Sequence, residues 1–379
     1  MVSVLCLLFT TTAYAQLPPE LSQNAHVELL TMSPGTAVHA VFGHSGLRFV
    51  DPAVGFDAVF NYGTFDPSDP MFIPKFTYGD MRYYLSVAGG ASVVRAYASE
   101  ERSIFSQQLA LTPDQVARLY AAVLENLEPA NRYYPYDFVR DNCSTRILEL
   151  LREHAGLVMN PSFEGAATYR DLIQGYLTND NPLSIGIDLV LGLPMDRVPS
   201  AAERTFLPYE LMSAVDASTI GASPAVARTD TVLWIAPPET AERSAPWLAY
   251  VLWALAAVLA LVAWLPGVNR WHRRELVDRS LLWFSGLLGL FLLFMWLGTM
   301  HTVTSWNVNL LWAFPVNAWA GWRYQKASSA KWYRIVAAVL CTVAIVSPLL
   351  PTLLPQQVPL SVWPLAVVLL GLHITRRRP

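Results

Sequence analysis

Cysteine is scarce in this chain, with only Cys6, Cys143 and Cys341 in 379 residues. Charge is scarce as well: 15% of residues are charged, the net is −3, and 53% are hydrophobic. That balance is too apolar for an ordinary water-soluble protein of this length. The sequence has no HExxH or CxxC pattern, so a zinc centre is not expected. No other metal, cofactor or nucleic-acid partner is expected either. Gly89-Gly90 lacks the further glycines and the lysine of a phosphate loop, and Gly43-His44-Ser45-Gly46 is one residue short of a GxSxG nucleophile elbow. Residues 16–245 contain no internal repeat or low-complexity tract.

The apolar excess is concentrated in blocks. Residues 2–15, VSVLCLLFTTTAYA, are short for a bilayer span and close on Ala13-Tyr14-Ala15 before Gln16, which predicts a secretory signal peptide over 1–15 even though its start carries no Lys or Arg. Cys6 follows Leu5 rather than a small residue, unlike a lipidation cysteine. Beyond a linker at 237–246, apolar stretches at 247–265, 281–300, 306–322, 335–354 and 359–375 each approach the length that crosses about 30 Å of hydrocarbon as a helix. Five spans are therefore expected over 247–379. Arg270, Arg273, Arg274 and Arg279 follow the first, Arg323, Lys326, Lys331 and Arg334 the third, and Arg376, Arg377 and Arg378 the fifth, whereas the alternate connections at 301–305 and 355–358 carry no Lys or Arg. This asymmetry puts the basic loops in the cytoplasm and residues 16–245 outside, with an extracytoplasmic domain over 16–236 on a multi-pass membrane protein.

The cysteine count then becomes informative. Cys6 belongs to the signal segment and Cys341 to the fourth span, so Cys143 is alone in the outer domain, without an intramolecular disulfide partner. Around it the sequence predicts an α+β fold. Alternating patterns at 46–50, 57–62 and 81–88, and again in TVLWIA, predict antiparallel strands. Thr112-Pro113-Asp114-Gln115 predicts a capped helix start. Short helices are expected near 166–176 and 184–192. STRILELLREHAG suits an amphipathic helix capped by Asp141 or Asn142 and ending before Gly156. Cys143 falls in its first turn, where free backbone N–H groups and the helix dipole favour a thiolate.

A thiol nucleophile needs a base within hydrogen-bond reach, usually an imidazole. The outer domain offers His26, His39, His44 and His154. His44, between small neighbours at a strand entrance in FGHSGLRF, has the best context. His154 lies eleven residues beyond Cys143, about 16 Å along the helix axis, and is out of reach. A helix-opening cysteine facing a strand histidine resembles the papain-like (NlpC/P60-like) cysteine hydrolases and acyltransferases, in permuted order because the histidine comes first. Asn61 is the candidate that orients the imidazole, with Tyr62 and Asp66 as competitors. Ser45, Arg48, Tyr62, Asn142 and Arg146 are candidate substrate contacts, although Arg146 could equally pair with Glu149 or Glu153. Tyr133, Tyr134 and Tyr136 suit packing or interfacial anchoring. In HTVTSWNVNLLWAFPVN, residues 301–317, the groups His301, Thr302, Thr304, Asn307 and Asn309 suggest a polar pocket at the outer end of spans two and three. Ordinary interfacial capping explains one or two of them.

Together, LLTMSPGTAVHAVFGHSGLRFVDP, FDAVFNYGTFD, PKFTYGDMRYYLS, NRYYPYDFVRDNCSTR and HTVTSWNVNLLW resemble the Lnb-type bacterial lipoprotein N-acyltransferases, over most of 27–210 and again at 301–317. The paired FGHS and DNCxTR motifs are the specific part of the match. The resemblance implies Cys143 as nucleophile and His44 as base. It also implies transfer of an acyl chain from a phospholipid to the free α-amino group of a diacylglyceryl-cysteine lipoprotein. Two other readings stay open on the residues alone: a membrane-tethered papain-like amidase or peptidase acting on cell-wall peptides, and a non-enzymatic lipoprotein- or lipid-binding scaffold.

Overall fold

The structure, a computed structural model, describes residues 17–177, 182–235, 271–351 and 362–374, together with 250, 251, 253–255, 258, 354–356 and 358. The expected signal segment at 1–15, the linker at 237–246 and most of the first expected span at 247–265 lie outside the described residues, as does the basic tail. The chain divides into two compact units, Met1–Ala167 with Val198–Thr240, and Thr168–Arg197 with Ala241–Pro379. Nothing in the composition marks off Thr168–Arg197 from the outer domain, so this division is invisible in the sequence.

The first unit is built on strands β1 (His26–Met32), β2 (His44–Asp51), β3 (Phe56–Thr64), β4 (Arg82–Gly89), β5 (Ile104–Leu109) and β6 (Tyr133–Pro135). Three two-residue strands follow, β7 (Leu157–Val158), β8 (Thr219–Ile220) and β9 (Ser223–Pro224), which pair in a small separate sheet, and then β10 (Val226–Leu233). Among the described residues the main sheet runs β10-β5-β1-β2-β3-β4-β6, antiparallel throughout. The β2–β3–β4 meander is what the alternation at 46–50, 57–62 and 81–88 predicts. β1 and β5 carry the same alternation less plainly, and their place at the centre is set by pairing rather than by local pattern.

Alternation assigns the two faces. Val27, Leu29, Leu47, Phe49, Ala58, Phe60 and Tyr62 point into one core, covered by helices α3 (Pro113–Leu127) and α4 (Cys143–Leu150). Leu30, Met32 and Val59 point the other way, against Val93 of helix α2 (Gly90–Ser99). Burying each large apolar side chain contributes roughly 1.5–3 kcal/mol. Helix α3 starts at the expected capping box: the Gln115 amide donates to Thr112 Oγ1 at 3.3 Å, and the Thr112 amide donates to Gln115 Oε1 at 2.8 Å. Between β3 and β4 lies α1 (Phe72–Tyr78), a short helix with no buried residue. After α4 a π-helical turn runs over Leu151–Ala155 and ends at Gly156.

In the second unit, helices α5 (Tyr169–Gln174) and α6 (Pro182–Val190) gather around Arg170. Its guanidinium is fully buried and donates to both carboxylate oxygens of Asp196 at 2.9 Å, with further bonds to Asp188 and to the Leu191 carbonyl. Paired and multiply bonded, it avoids the cost of a lone buried charge. The first unit also contains two short helices after this segment, α7 (Ala201–Arg204) and α8 (Pro208–Asp216).

The other described residues of the second unit are mostly helical, and two described segments are long and apolar enough to cross a membrane, Glu275–Leu297 and Lys331–Leu349. The first, at 23 residues, reaches roughly 34 Å, enough for the hydrocarbon layer. A shorter apolar helix covers Trp363–Ile374. The stretch 306–322, expected as one span, is instead a 3-10 turn at Val308–Leu310 and a seven-residue helix at Val316–Trp322. Pro315 has no N–H to continue a helix, and Asn307 caps the turn by accepting the Asn309 amide at 2.9 Å. Irregular backbone of this kind is tolerated where protein surrounds it. Backbone at Ala313 and Ala318 packs so closely on Gly289 and Gly286 of the helix Trp271–Leu297 that a Cβ at either glycine would overlap it.

Candidate active site

Helix α4 is fixed at its start by one side chain. Asn142, 2% exposed, accepts the Ser144 and Thr145 amides on Oδ1 at 2.8 and 3.0 Å. Its Nδ2 donates to the carbonyls of Phe138 and Phe206 at 2.7 and 2.8 Å. The Thr145 hydroxyl in turn accepts the Asn142 amide at 2.8 Å. Every polar atom of the Asn142 side chain is engaged in holding the chain in place. The cap also takes up two of the N–H groups expected to be open at this helix end. Among the described residues, the Cys143 amide is the first-turn N–H left without a hydrogen bond.

Cys143 is the first residue of the helix, partly exposed and without a disulfide. Two glycines with positive φ let the sheet come up to it. Gly63, at φ +84°, sits where the β3–β4 register shifts, and a Cβ there would lie 3.7 Å from the Cys143 Cβ. Gly43, at φ +81°, turns the chain into β2, where a Cβ would press on the Met32 carbonyl. The next residue is His44.

His44 and Asn61 stand on adjacent strands and on the same face. The Asn61 amide nitrogen donates to the Val59 carbonyl at 3.3 Å, which turns its oxygen to His44 Nε2 at 3.3 Å. The other face of the contact is the thiol. Burial pushes the Cys143 thiol up, but the His44 imidazole, acting by charge and by hydrogen bond, outweighs it, with help from the Ser45 backbone N–H and the Ser144 hydroxyl. The net direction is down, toward thiolate. Ser144 lies 3.9 Å from the sulfur, and its hydroxyl meets Ser45 Oγ at 3.0 Å, tying α4 to β2 behind the cysteine.

Cys143, His44 and Asn61 are thus brought together, with Ser45 beside them. The other residues singled out from sequence sit elsewhere or are engaged. Arg48 is four residues along β2 from His44, about 13 Å away along the strand, and its guanidinium binds Asp57 at 2.7 and 2.9 Å and Glu28 at 3.1 Å. Tyr62 is buried, and its hydroxyl accepts from Asn126 of α3 at 2.8 Å. Arg146 pairs through two nitrogens with Asp141, at 2.5 and 2.8 Å, instead of with Glu149 or Glu153, and lies 3.6 Å over the Tyr134 ring. Asp66 caps its own turn through the Ser68 amide at 2.9 Å. His26 faces Glu28, His39 sits edge-on to Phe65, and His154 lies on the π-helical turn beside Glu153.

In the second unit, Asn307 and Asn309 are buried, and their amides turn inward rather than lining an open pocket. Asn307 Nδ2 donates to the Leu189 and Val190 carbonyls at 2.7 and 3.1 Å, and Asn309 Nδ2 to Leu189 at 3.3 Å. Gln356 completes the cluster, accepting the Val308 amide at 2.7 Å and donating to the Leu191 carbonyl and Asn307 Oδ1 at 3.2 Å. His301 is half-buried at the N-cap of the 3-10 turn Thr302–Thr304.

Two tyrosines that the sequence assigns to packing or interfacial anchoring, Tyr134 and Tyr136, surround the thiol. Tyr136, whose ring edge approaches Gly63, stacks on Tyr83 at 4.3 Å. The Tyr134 hydroxyl is buried against the same glycine. Burial first, and then the facing thiolate, push both phenols up, so they remain protonated. The glycine two residues after Asn61 was the local sign of this close approach.

Two family models match the chain: the Lnb N-terminal periplasmic domain over residues 20–175 and the Lnb transmembrane domain over residues 241–375. No curated protein and no solved structure matches it significantly.

Proposed function

The chain belongs to the Lnb family of lipoprotein N-acyltransferases, thiol-dependent inner-membrane enzymes with an extracytoplasmic catalytic domain, and from that premise we propose that Cys143 is its nucleophile, His44 its acid and base, and Asn61 the residue that orients His44. The observation that carries this reading is the cluster itself. A lone, partly exposed sulfur opens a helix, its thiol is lowered by an imidazole, and that imidazole is held from behind by an amide oxygen.

In the first half-reaction the Cys143 thiolate attacks an ester carbonyl of a phospholipid. A carbon–sulfur bond forms, the ester carbon–oxygen bond breaks, and His44 passes its proton to the departing glycerol oxygen, giving a lysophospholipid and a thioester. In the second, the neutral α-amine of a diacylglyceryl-cysteine lipoprotein attacks the thioester. His44 takes the amine proton, the carbon–nitrogen bond forms, and the sulfur leaves as thiolate. The Cys143 backbone N–H is the donor aimed at the developing oxyanion, because the cap occupies its two successors.

The same reading extends to the architecture. A helix-opening cysteine packed on an antiparallel sheet with the histidine on a neighbouring strand supports a permuted papain-like topology for the outer domain. Five membrane crossings, with 247–265 as the first and 306–322 as a broken one, fit the charge asymmetry of the loops. A signal peptide over 1–15, a catalytic domain from 16 to 236 and a linker at 237–246 complete the domain plan. Anchoring keeps the thiol beside two lipid-borne substrates and raises their effective concentration.

The test is the intact mass of a reporter lipoprotein from cells lacking other N-acyltransferases. Wild type should add the mass of one acyl chain to its N-terminus, and Cys143→Ser should add none. A reporter that gains the chain with Cys143→Ser, or never gains it with wild type, overturns the assignment.

A further inference from the structure

Helix α1 is out of keeping with the rest of the outer domain. It is seven residues long and buries none of them, yet Ile73 and Phe76 are 68% and 47% exposed, and Met71 and Tyr78, flanking or closing it, are 53% and 49% exposed. A helix this short has no stability of its own in water and normally owes its existence to packing of an apolar face. Here much of that face is turned outward. A contiguous exposed apolar patch marks a binding surface.

The patch is continuous with the thiol site. From Cys143 the way leads past Tyr136, whose ring edge shares Gly63 with it, to Tyr83 at 4.3 Å between ring centroids, then to Phe65 at 5.2 Å, and to Phe72 of α1 at 5.0 Å, all three pairs stacked. Phe76 follows Phe72 at 6.2 Å. An unbroken row of aromatic rings thus joins the nucleophile to the exposed helix. We infer that α1 is the donor-docking surface of the outer domain: it lies in the outer leaflet, and the Phe72–Phe65–Tyr83–Tyr136 row guides the acyl chain of a phospholipid to Cys143.

The inference rests on the acyl-transfer reading above and adds to it where the lipid enters. The chemistry favours an acyl chain because the exposed side chains of the patch, Met71, Ile73 and Phe76, are apolar and lead into a row of aromatic rings. Charge does not drive the contact. The stretch 66–82 carries both signs, with Asp66, Asp69 and Asp80 beside Lys75 and Arg82 in sequence, and Lys75 is already paired with Asp69 at 2.8 Å. Docking should therefore be as good on zwitterionic as on anionic lipid and insensitive to salt.

The full chain in nanodiscs tests this in two ways. In a Cys143→Ala background, Ile73→Cys and, separately, Val54→Cys carry a bimane label; Val54 is 63% exposed on the β2–β3 turn, at the other end of the strand from His44. Doxyl-labelled phosphatidylcholine should quench the label at position 73 severalfold more than at 54, and equal quenching overturns the inference. For turnover, the donor phospholipid is diluted in non-cleavable ether lipid. The double variant Ile73→Glu with Phe76→Glu should raise KM, expressed as donor mole fraction, by about tenfold, with thioester formation from water-soluble p-nitrophenyl butyrate unchanged. An unchanged KM, or equal loss with the soluble ester, also overturns it. If wild type forms no thioester with either ester, it is the nucleophile assignment that fails, whereas the quenching result still decides whether α1 meets lipid.

Discussion

The two units each contain a cluster of buried polar groups, and they differ in what those groups have left to offer. In the second unit, Asn307, Asn309 and Gln356 use their amides on one another and on the carbonyls of Leu189, Val190 and Leu191, up to 165 residues away in sequence. In the first unit, Cys143 keeps a backbone N–H without a hydrogen bond among the described residues, a partly exposed sulfur and a thiol biased toward its anion. A satisfied network in a low-dielectric interior gives cohesion. A cluster with unused capacity can receive a reacting atom. Polarity alone does not distinguish the two, and the hydrogen-bond inventory does.

Substitutions should separate the clusters in order of effect. Cys143→Ala should reduce acyl transfer by about ten-thousand-fold or more, with the melting temperature of the detergent-solubilised protein unchanged. His44→Ala should cost roughly a hundred- to ten-thousand-fold in kcat. It should also shift the pH profile of Cys143 alkylation by iodoacetamide. His44 is the main group that lowers the thiol pKa against burial, so without it only the Ser45 backbone N–H and the Ser144 hydroxyl oppose burial and the profile moves to higher pH. Alkylation would then slow near neutrality and match wild type only in alkali. Asn61→Ala should lower kcat by about tenfold to a hundredfold while leaving KM in place, since it orients the imidazole without touching substrate. Asn307→Ala should do the reverse of all three. It should remove about 1–3 kcal/mol of stability through the unsatisfied carbonyls it leaves, read as a lower melting temperature, and leave the alkylation profile of Cys143 as in wild type. A shifted profile in Asn307→Ala would erase the contrast between the clusters.

Local chemistry was legible in the sequence and long-range pairing was not. The Thr112 capping box, the helix opened by Cys143 and the β2–β4 meander all follow from residues within a few positions of one another. His44 could be preferred over three other histidines because glycines flank it. What Asn142 does was half legible. A cap was expected, but its second amide bond, to Phe206, joins residues 64 apart, and it makes the side chain structural. The break at 306–322 was signalled by Pro315 but masked by hydropathy. The anchoring of Thr168–Arg197 through Asn307 and Gln356 had no local sign at all. Arg146 could not be assigned from spacing, because helical periodicity offers Glu149 and Glu153 whereas the actual partner, Asp141, lies just outside the helix.

The central claim is that Cys143 carries the acyl chain between lipid and amine. Its most direct test is the intact mass of the full chain after incubation in phospholipid nanodiscs without acceptor. The account predicts a species heavier by one acyl group, with the modification mapped to Cys143 and removed by neutral hydroxylamine or by a diacylglyceryl-cysteine peptide that gains the same mass. Transfer to that peptide by Cys143→Ala at the wild-type rate, with no acylated protein at any time, would contradict it.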